Sequence, residues 1–322
     1  IKYRVLRDQS IAFEHFLKGE LDQFGLVLPH YWHSKAKYLK QVDKGYMQKI
    51  WLYTDSPTSC YWVSYNMDHK VLSNIDVRLG ITYAMNIQGL IDTVLHGDYV
   101  RAETFNEGQG DYTNKEIRAR RFDLDKAISY FVKAGYNKIG DDGIRLNKKG
   151  ERLSFKFLYA HQTHTVRLIF LKNEAKKAGL ELTLENYDSV AVFKNMADKK
   201  HELAWHGWAA QSRPTYWGQY HRDNAHKKKN NNLSNLDNEE LSKTIIKFRD
   251  ALNNELRIKL AHEIEQSLYD LAPAIPLYKI PYVRQGLWRW VKYPQGIGVK
   301  STEYVMDNYG LFWIDEKLKK EI

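Results

Sequence analysis

Between Leu153 and Trp208 the chain alternates three short apolar runs with two segments of helical period. LSFKFLYA, LELTLENY and HELAWHGW have the length and alternation of strands, whereas THTVRLIFLKNEAKKAG and DSVAVFKNMADKK repeat their apolar residues every three to four positions. Gly179 stands where the first helix has to end, and Asp188 where the second has to begin. Strand, helix, strand, helix, strand is the grammar of a twisted sheet with parallel neighbours and covering helices. An α/β fold with mixed, mostly parallel sheets is therefore predicted. Ligands of such sheets collect beyond the carboxyl ends of the strands.

Directly off the third strand, residues 205–221 read WHGWAAQSRPTYWGQYH, with five Trp or Tyr among seventeen residues. Gly, Ser and Pro break any regular period, so these rings belong to a loop at the carboxyl edge of the sheet. Trp205 continues the strand alternation and is expected in the core. Trp208, Tyr216 and Trp217 are expected to face a ligand, because flat rings give large rigid contact area at small entropic cost. Arg213 adds a guanidinium fork for a carboxylate or phosphate, and Gln211 can donate and accept hydrogen bonds without adding charge.

The flanks carry other patterns. IKYRVL, DQSIAFEHFLKGE and LDQFGLVL read as strand, helix and strand within the first 28 residues, a tight βαβ unit with parallel strands and a helix capped by Asp8 or Ser10. Residues 46–67 supply two strand-like runs around a Ser-Pro turn. SNIDVRLGITYAMNIQGLIDTVLHG sets Val77, Ile81, Ala84, Met85, Ile91 and Val94 on one helical stripe, starting at Asn74 or Asp76 and closing at Gly97. A further helix is predicted from Asp123 to Gly135, then a hairpin around Asp-Asp-Gly and Lys-Lys-Gly turns. Asp237 and Glu240 form a capping box for LSKTIIKFRDAL, and the helix after it runs to Pro273 and Pro276. These patterns divide the chain into part of a first lobe (1–70), an inserted second lobe (71–275) and a return to the first (276–322).

Composition excludes several classes. At 322 residues the chain can bury two cores, and no run approaches the roughly 20 apolar residues of a membrane helix. Its opening, IKYRVL, lacks the charged and apolar regions of a signal peptide. Cys60 is the one cysteine, and its strand-like context predicts an inert buried thiol. A net charge of +10 invites a nucleic-acid reading, but the dense basic run HKKKNNN has no RNA-binding, zinc or heptad signature beside it. HQTH places His161 and His164 three residues apart without a supporting ligand pattern. Glu107 and Asp111 are a candidate glycosidase pair that nothing in the sequence holds at a working separation.

Several motifs, in order over nearly the whole chain, resemble one family. AFEHFLKGELDQFGL is similar to a helix followed by Gly-Glu and Leu-Asp, and YWVSYN to a hinge strand ending in Tyr-x-Asn. Asp76, Arg78, Tyr83, Ala84, Leu90 and Ile91 match Asp-x-Arg-x-x-x-x-Tyr-Ala-x-x-x-x-x-Leu-Ile. The aromatic loop is similar to Gly-Trp-x-Ala-Asp-x-x-x-Pro, and APAIPL to an Ala-Pro-x-Ile-Pro-Leu close. On these motifs the chain resembles the C-terminal half or more of the bacterial extracellular solute-binding proteins of family 5, the peptide, nickel and oligopeptide binders of ABC importers. Within them it most resembles the YejA-like branch.

The resemblance implies a periplasmic binding protein type II fold with one lobe incomplete, no cofactor and no catalysis. It implies capture of an oligopeptide or peptide-like solute between lobes that close about Tyr65 and Asn66. The partner would be an inner-membrane ABC permease, the setting the periplasm, the form a monomer, and nucleic acid no part of the function. Gln211 stands where the family's Asp pairs with a peptide α-amine, which favours a ligand whose amine is blocked, formylated or absent. Oligosaccharide, nickel or haem binding by the same fold, and a carbohydrate-active enzyme, are the alternatives.

Overall fold

The computed structural model describes residues 4–6, 8–53, 60–208, 211, 213–293 and 312–321. The chain forms two compact units: Ile1–Ser56 with Pro281–Ile322, and Pro57–Ile280. The first unit opens with α1 (Gln9–Leu17), β1 (Gln23–Gly25), α2 (Lys40–Asp43) and β2 (Met47–Tyr53). The larger unit then runs through β3 (Cys60–Tyr65), α3 (Ile75–Ala84), α4 (Ile87–Thr93), β4 (Val100–Arg101), α5 (Leu124–Lys133), β5 (Lys138–Ile139) and β6 (Arg145–Leu146). It continues with β7 (Ser154–Ala160), α6 (Thr165–Lys176), β8 (Glu181–Tyr187), α7 (Ser189–Ala197), β9 (Leu203–Trp208), α8 (Trp217–Tyr220), α9 (Glu239–Asp250), α10 (Asn254–Leu271) and β10 (Ala274–Lys279). The first unit resumes with β11 (Tyr282–Trp288), β12 (Val291–Lys292), β13 (Trp313–Ile314) and α11 (Glu316–Lys319).

The sheet of the first unit has the order β1–β11–β2, all antiparallel. Asp8 caps α1, its Oδ1 accepting from Ser10 N and Ile11 N at 2.8 and 2.9 Å. Phe13 and Phe16 of that helix bury against Phe24, Leu287 and Trp288. Among the described residues no strand precedes α1, and Gln23 of β1 faces Leu287 of β11. Residues 1–3 of the expected first strand lie outside the described residues; among the described ones the parallel βαβ unit expected of the first 28 residues does not appear, and β1 pairs instead with a strand from the far end of the chain. The helix lies so close on this sheet that a Cβ at Gly286 would come within 2.9 Å of the Phe16 ring.

Six strands ordered β4–β10–β3–β9–β7–β8 organise the larger unit. β8, β7 and β9 are parallel, joined through α6 and α7 as the alternating pattern predicts. The pairings β9–β3, β3–β10 and β10–β4 are antiparallel. The sheet is thus mixed but not mostly parallel. β3 brings the chain into this unit and β10 takes it out, so the two run through the middle of the sheet in opposite directions. Their central place also puts the unit boundaries at 56/57 and 280/281, outside the 70/71 and 275/276 that the helical pattern suggests.

Local chemistry explains where the helices stop. The stripe that predicts one helix up to Gly97 is cut in two: Asn86 Oδ1 accepts from Gly89 N at 2.9 Å and caps α4, so α3 ends at Ala84. Asn238, not the Asp237 of the expected box, caps α9 by accepting from Leu241 N at 2.8 Å. At the end of α10, Ala272 takes a left-handed conformation one residue before Pro273. Buried Arg78 donates there to the carbonyls of Leu271 and Ala272, and to those of Leu72 and Ser73 before α3. One guanidinium thus satisfies carbonyls that a helix end leaves open and joins it to the start of α3. Trp205, 2% exposed, packs among Phe157, Tyr61 and Tyr278, in the core position its alternation predicts.

Candidate functional site

β9 ends at Trp208, opposite Cys60 of β3. Residues 209, 210 and 212 lie outside the described residues; Gln211 and Arg213 are exposed, and Pro214 is buried. A cavity of about 320 Å³ opens beside this segment. Trp208, Gln211, Arg213 and Tyr216 line it from the segment itself, Phe105, Asn106 and Gln109 from the loop after β4, and Trp62 from β3. The Trp62 and Phe105 rings meet edge-to-face at 4.9 Å.

Hydrogen bonds hold these pieces in register. Asn106 donates through Nδ2 to the Tyr216 hydroxyl at 2.5 Å and to Tyr112 O at 3.2 Å. Its backbone N–H donates to Glu265 Oε1 at 2.6 Å, and Asn114 N donates to Glu265 Oε2. Glu265 of α10 is fully buried, so a carboxylate behind the wall sets the loop that forms it. Burial pushes this carboxyl above its ordinary value, while the two backbone hydrogen bonds and nearby His262 pull it part of the way back. Burial also keeps the Tyr216 phenol protonated, well above its usual range. Among the described residues no carboxylate lines the cavity, whose polar groups include several side-chain amides and the Arg213 guanidinium. Trp62 Nε1 is buried behind this wall, on the same strand face as the Cys60 thiol.

The sequence profile of the bacterial extracellular solute-binding proteins, family 5 Middle, matches residues 1–230. The chain belongs to this family. It is 22% identical over 279 residues to the oligopeptide-binding protein OppA of Bacillus subtilis (strain 168), covering 85% of this chain and 48% of that protein. The solved structure of the B. subtilis oligopeptide-binding protein AppA in complex with a nonapeptide matches with a TM-score of 0.80 at 18% identity, over 97% of this chain and 60% of that one. The periplasmic binding protein DppA of Helicobacter pylori, in complex with the peptide STSA, matches with a TM-score of 0.78 at 19% identity, over 97% and 56%. At these identities the likeness shows the fold, an α/β periplasmic binding protein of type II with mixed sheets. The chain spans about half the length of the OppA it matches.

Four of the seven residues expected at the site of this family 5 chain come together at the cavity: Trp208, Gln211, Arg213 and Tyr216. Tyr216 does so from a core position, its ring 4.9 Å from Phe248. Trp217 does not line the cavity. It stacks on His221 at 3.7 Å, with the Arg249 guanidinium 4.8 Å from its ring. Tyr65 and Asn66 are buried and tied into the larger unit, the Tyr65 hydroxyl donating to Arg78 O at 3.1 Å and Asn66 Nδ2 to Lys199 O and His201 O at 3.1 and 2.8 Å. Both fasten the end of β3 to its surroundings, and neither reaches the cavity.

Sequence reasoning missed Trp62, which reads as one more residue of a strand, and Phe105, Asn106 and Gln109, since FNEGQG reads only as a turn. Glu265 did carry a signal. It falls four residues after Ala261 and three before Leu268, on the buried face of α10, where an acid survives only with donors around it.

Other chemistries find less support in the geometry. Cys60 is buried, and burial pushes its thiol up to about 12. Glu107 is ion-paired with Lys279 at 2.8 Å and accepts from Glu103 N. His161 and His164 stand 5.8 Å apart by ring centroids, and among the described residues no three His, Cys, Asp or Glu gather as a metal site requires. The Asn tract of the basic run folds inward: Asn232 is fully buried and Lys199 donates to Asn230 Oδ1 and Asn232 O. Among the described residues no helix is long and apolar enough to cross a membrane.

Proposed function

We propose that this chain is a solute-capturing component of an ABC import system. It holds an oligopeptide or peptide-like solute in the cavity beside Trp208 and passes it to a membrane permease, acting as a monomer outside the cytoplasm, in the periplasm. The observation that carries this reading is the aromatic cavity at the carboxyl end of β9 in a chain of family 5. The site is read as one that binds and does not transform: its lining is largely aromatic and amide, with no acid–base pair or activated nucleophile among the described lining residues. The same lining favours a solute without a free α-ammonium, because such a cation would meet Arg213 and no counter-charge. The YejA-like branch is the narrower placement that the loop wording supports.

Isothermal titration calorimetry with short peptides, each in free-amine and N-acetylated form, tests this. The acetylated series should bind at least as tightly as the free one. Trp208→Ala should weaken binding roughly tenfold through the loss of its aromatic wall. Binding that ignores Trp208→Ala would displace the site, and a preference for free amines would remove the blocked-terminus reading. If no peptide bound, the capture function would fall.

A further inference from the structure

Trp208 also lines a second recess, about 370 Å³, at the same edge of the sheet. Its walls are Tyr61, Trp205 and Trp208 from the strands and Val192, Phe193 and Met196 from α7. Gly207 lies between the two indoles, exposed, and puts no side chain into the space. His161, His164 and His206 are also among its lining residues. His206 Nε2 is 2.7 Å from Ser64 Oγ, and His161 Nε2 is 3.2 Å from Ser189 Oγ. His164 is 7% exposed, packed 5.5 Å from Tyr61 and 6.0 Å from Trp205, and its Nδ1 is buried with no hydrogen-bond partner among the described residues. His161, next to it, is held at φ 61°, a conformation that strains a residue with a side chain.

We infer that this recess is a side-chain subsite of the captured solute, shaped for a phenol. The inference rests on the peptide-capture reading and adds the class of residue the peptide carries. Flat apolar walls with a thioether beside them favour a ring over a branched aliphatic chain. Burial, then the nearby Arg167 and His161, pushes His164 down to about 3, so its ring is neutral and Nδ1 either donates or accepts according to tautomer. A hydroxyl satisfies both cases, since it can do either. A phenyl ring would leave Nδ1 unpaired. An ammonium would meet no carboxylate among the described lining residues, and Arg167 behind His164 opposes it further.

The structure supplies its own blocking variant. Gly207 has no left-handed φ, and a Cβ built there meets nothing nearer than 3.8 Å, so Gly207→Leu can fold while filling the recess. The protein, Gly207→Leu and His164→Phe are each mixed with a pool of random pentapeptides, and the retained peptides are sequenced by mass spectrometry. Thermal melts confirm that each variant folds. The protein should retain peptides enriched about fivefold or more in Tyr over Phe and Lys at one position, the size expected of one good hydrogen bond. Gly207→Leu should retain peptides without that enrichment, and His164→Phe should bring Tyr down to the level of Phe. Peptides retained with no residue preference, or with a Tyr preference that survives Gly207→Leu, would overturn the subsite and leave peptide capture standing. A pool from which nothing is retained would overturn both.

Discussion

Replacing Glu265 by alanine would leave the backbone N–H groups of Asn106 and Asn114 inside the protein without acceptors. Each orphaned donor costs about 1–3 kcal/mol, so the pair sets a gross loss of roughly 2–6 kcal/mol. Part of that is returned because a buried carboxylate, already pushed towards protonation, no longer has to be desolvated. A net loss of about 3 kcal/mol follows, which for a unit of this size lowers Tm by roughly 6–12 °C. Glu265→Gln keeps one acceptor but turns an amide NH₂ towards the second N–H, and should cost about half as much. Because the folded carboxyl is raised above its unfolded value, its titration adds stability below about pH 4.5 that is lost as the pH climbs through the folded value. The gap between the protein and Glu265→Gln should therefore narrow from pH 5 to pH 8. Differential scanning calorimetry across that range measures both effects. A Tm for Glu265→Ala within about 2 °C of the parent at pH 7 would refute the claim that this carboxylate sets the cavity wall.

Three further outcomes are expected. Trp217→Ala should lower Tm by several degrees, through loss of the His221 stack and the Arg249 contact, yet leave peptide affinity within about twofold; a large affinity loss would return Trp217 to the site. Asn66→Ala should cost about 2–4 kcal/mol in urea unfolding, because the carbonyls of Lys199 and His201 and the backbone N–H of Asp68 lose this partner while the Asn235 amide keeps only Asp68; an unchanged midpoint would contradict that role. Burial holds His164 and His201 down to about 3 and His206 down to about 4. Their neutral forms therefore add stability above about pH 6.5 that is lost as the pH falls towards those values, at about 1.4 kcal/mol per pH unit for each ring. Guanidinium unfolding at pH 5.5 should give a stability lower by about 3–4 kcal/mol than at pH 7.5, and a flat profile would show that these rings are solvated.

What could be read from the residues alone was the part of the fold that local chemistry decides. β7, α6, β8, α7 and β9 follow from period and from Gly179 and Asp188, and all five form as predicted. What failed depended either on partners distant in the chain or on single side-chain caps. Nothing in QFG announces that β1 pairs with residues 285–287, so the opening segment looked like a self-contained parallel unit. Asn86 split a helix whose apolar stripe runs on without a break, since a cap works through one side-chain oxygen that no periodicity registers. At the site, the aromatic segment was visible because its rings are contiguous. The opposite wall was not, because Phe105, Asn106 and Gln109 owe their place to a carboxylate on α10, more than 150 residues further along the chain.

The mixed sheet also explains why the site is richer than the carboxyl-end rule implies. β7 and β9 are parallel and present their carboxyl ends at one edge, with Ala160 and Trp208. β3 runs the other way between β9 and β10, so its amino end, Cys60 to Trp62, reaches that same edge, Cys60 facing Trp208 and Trp62 facing His206. Side chains alternate across a strand, so Tyr61 and Trp62 point to opposite faces. Trp62 therefore enters the cavity that takes in Gln211 and Arg213, while Tyr61 enters the recess of His164. Trp208 stands at the strand end between the two and lines both. A solute that spans them would meet amides and a guanidinium on one side of a single indole and a neutral imidazole among rings on the other. Removing that indole should weaken both contacts together, whereas filling the space above Gly207 should silence one and spare the other.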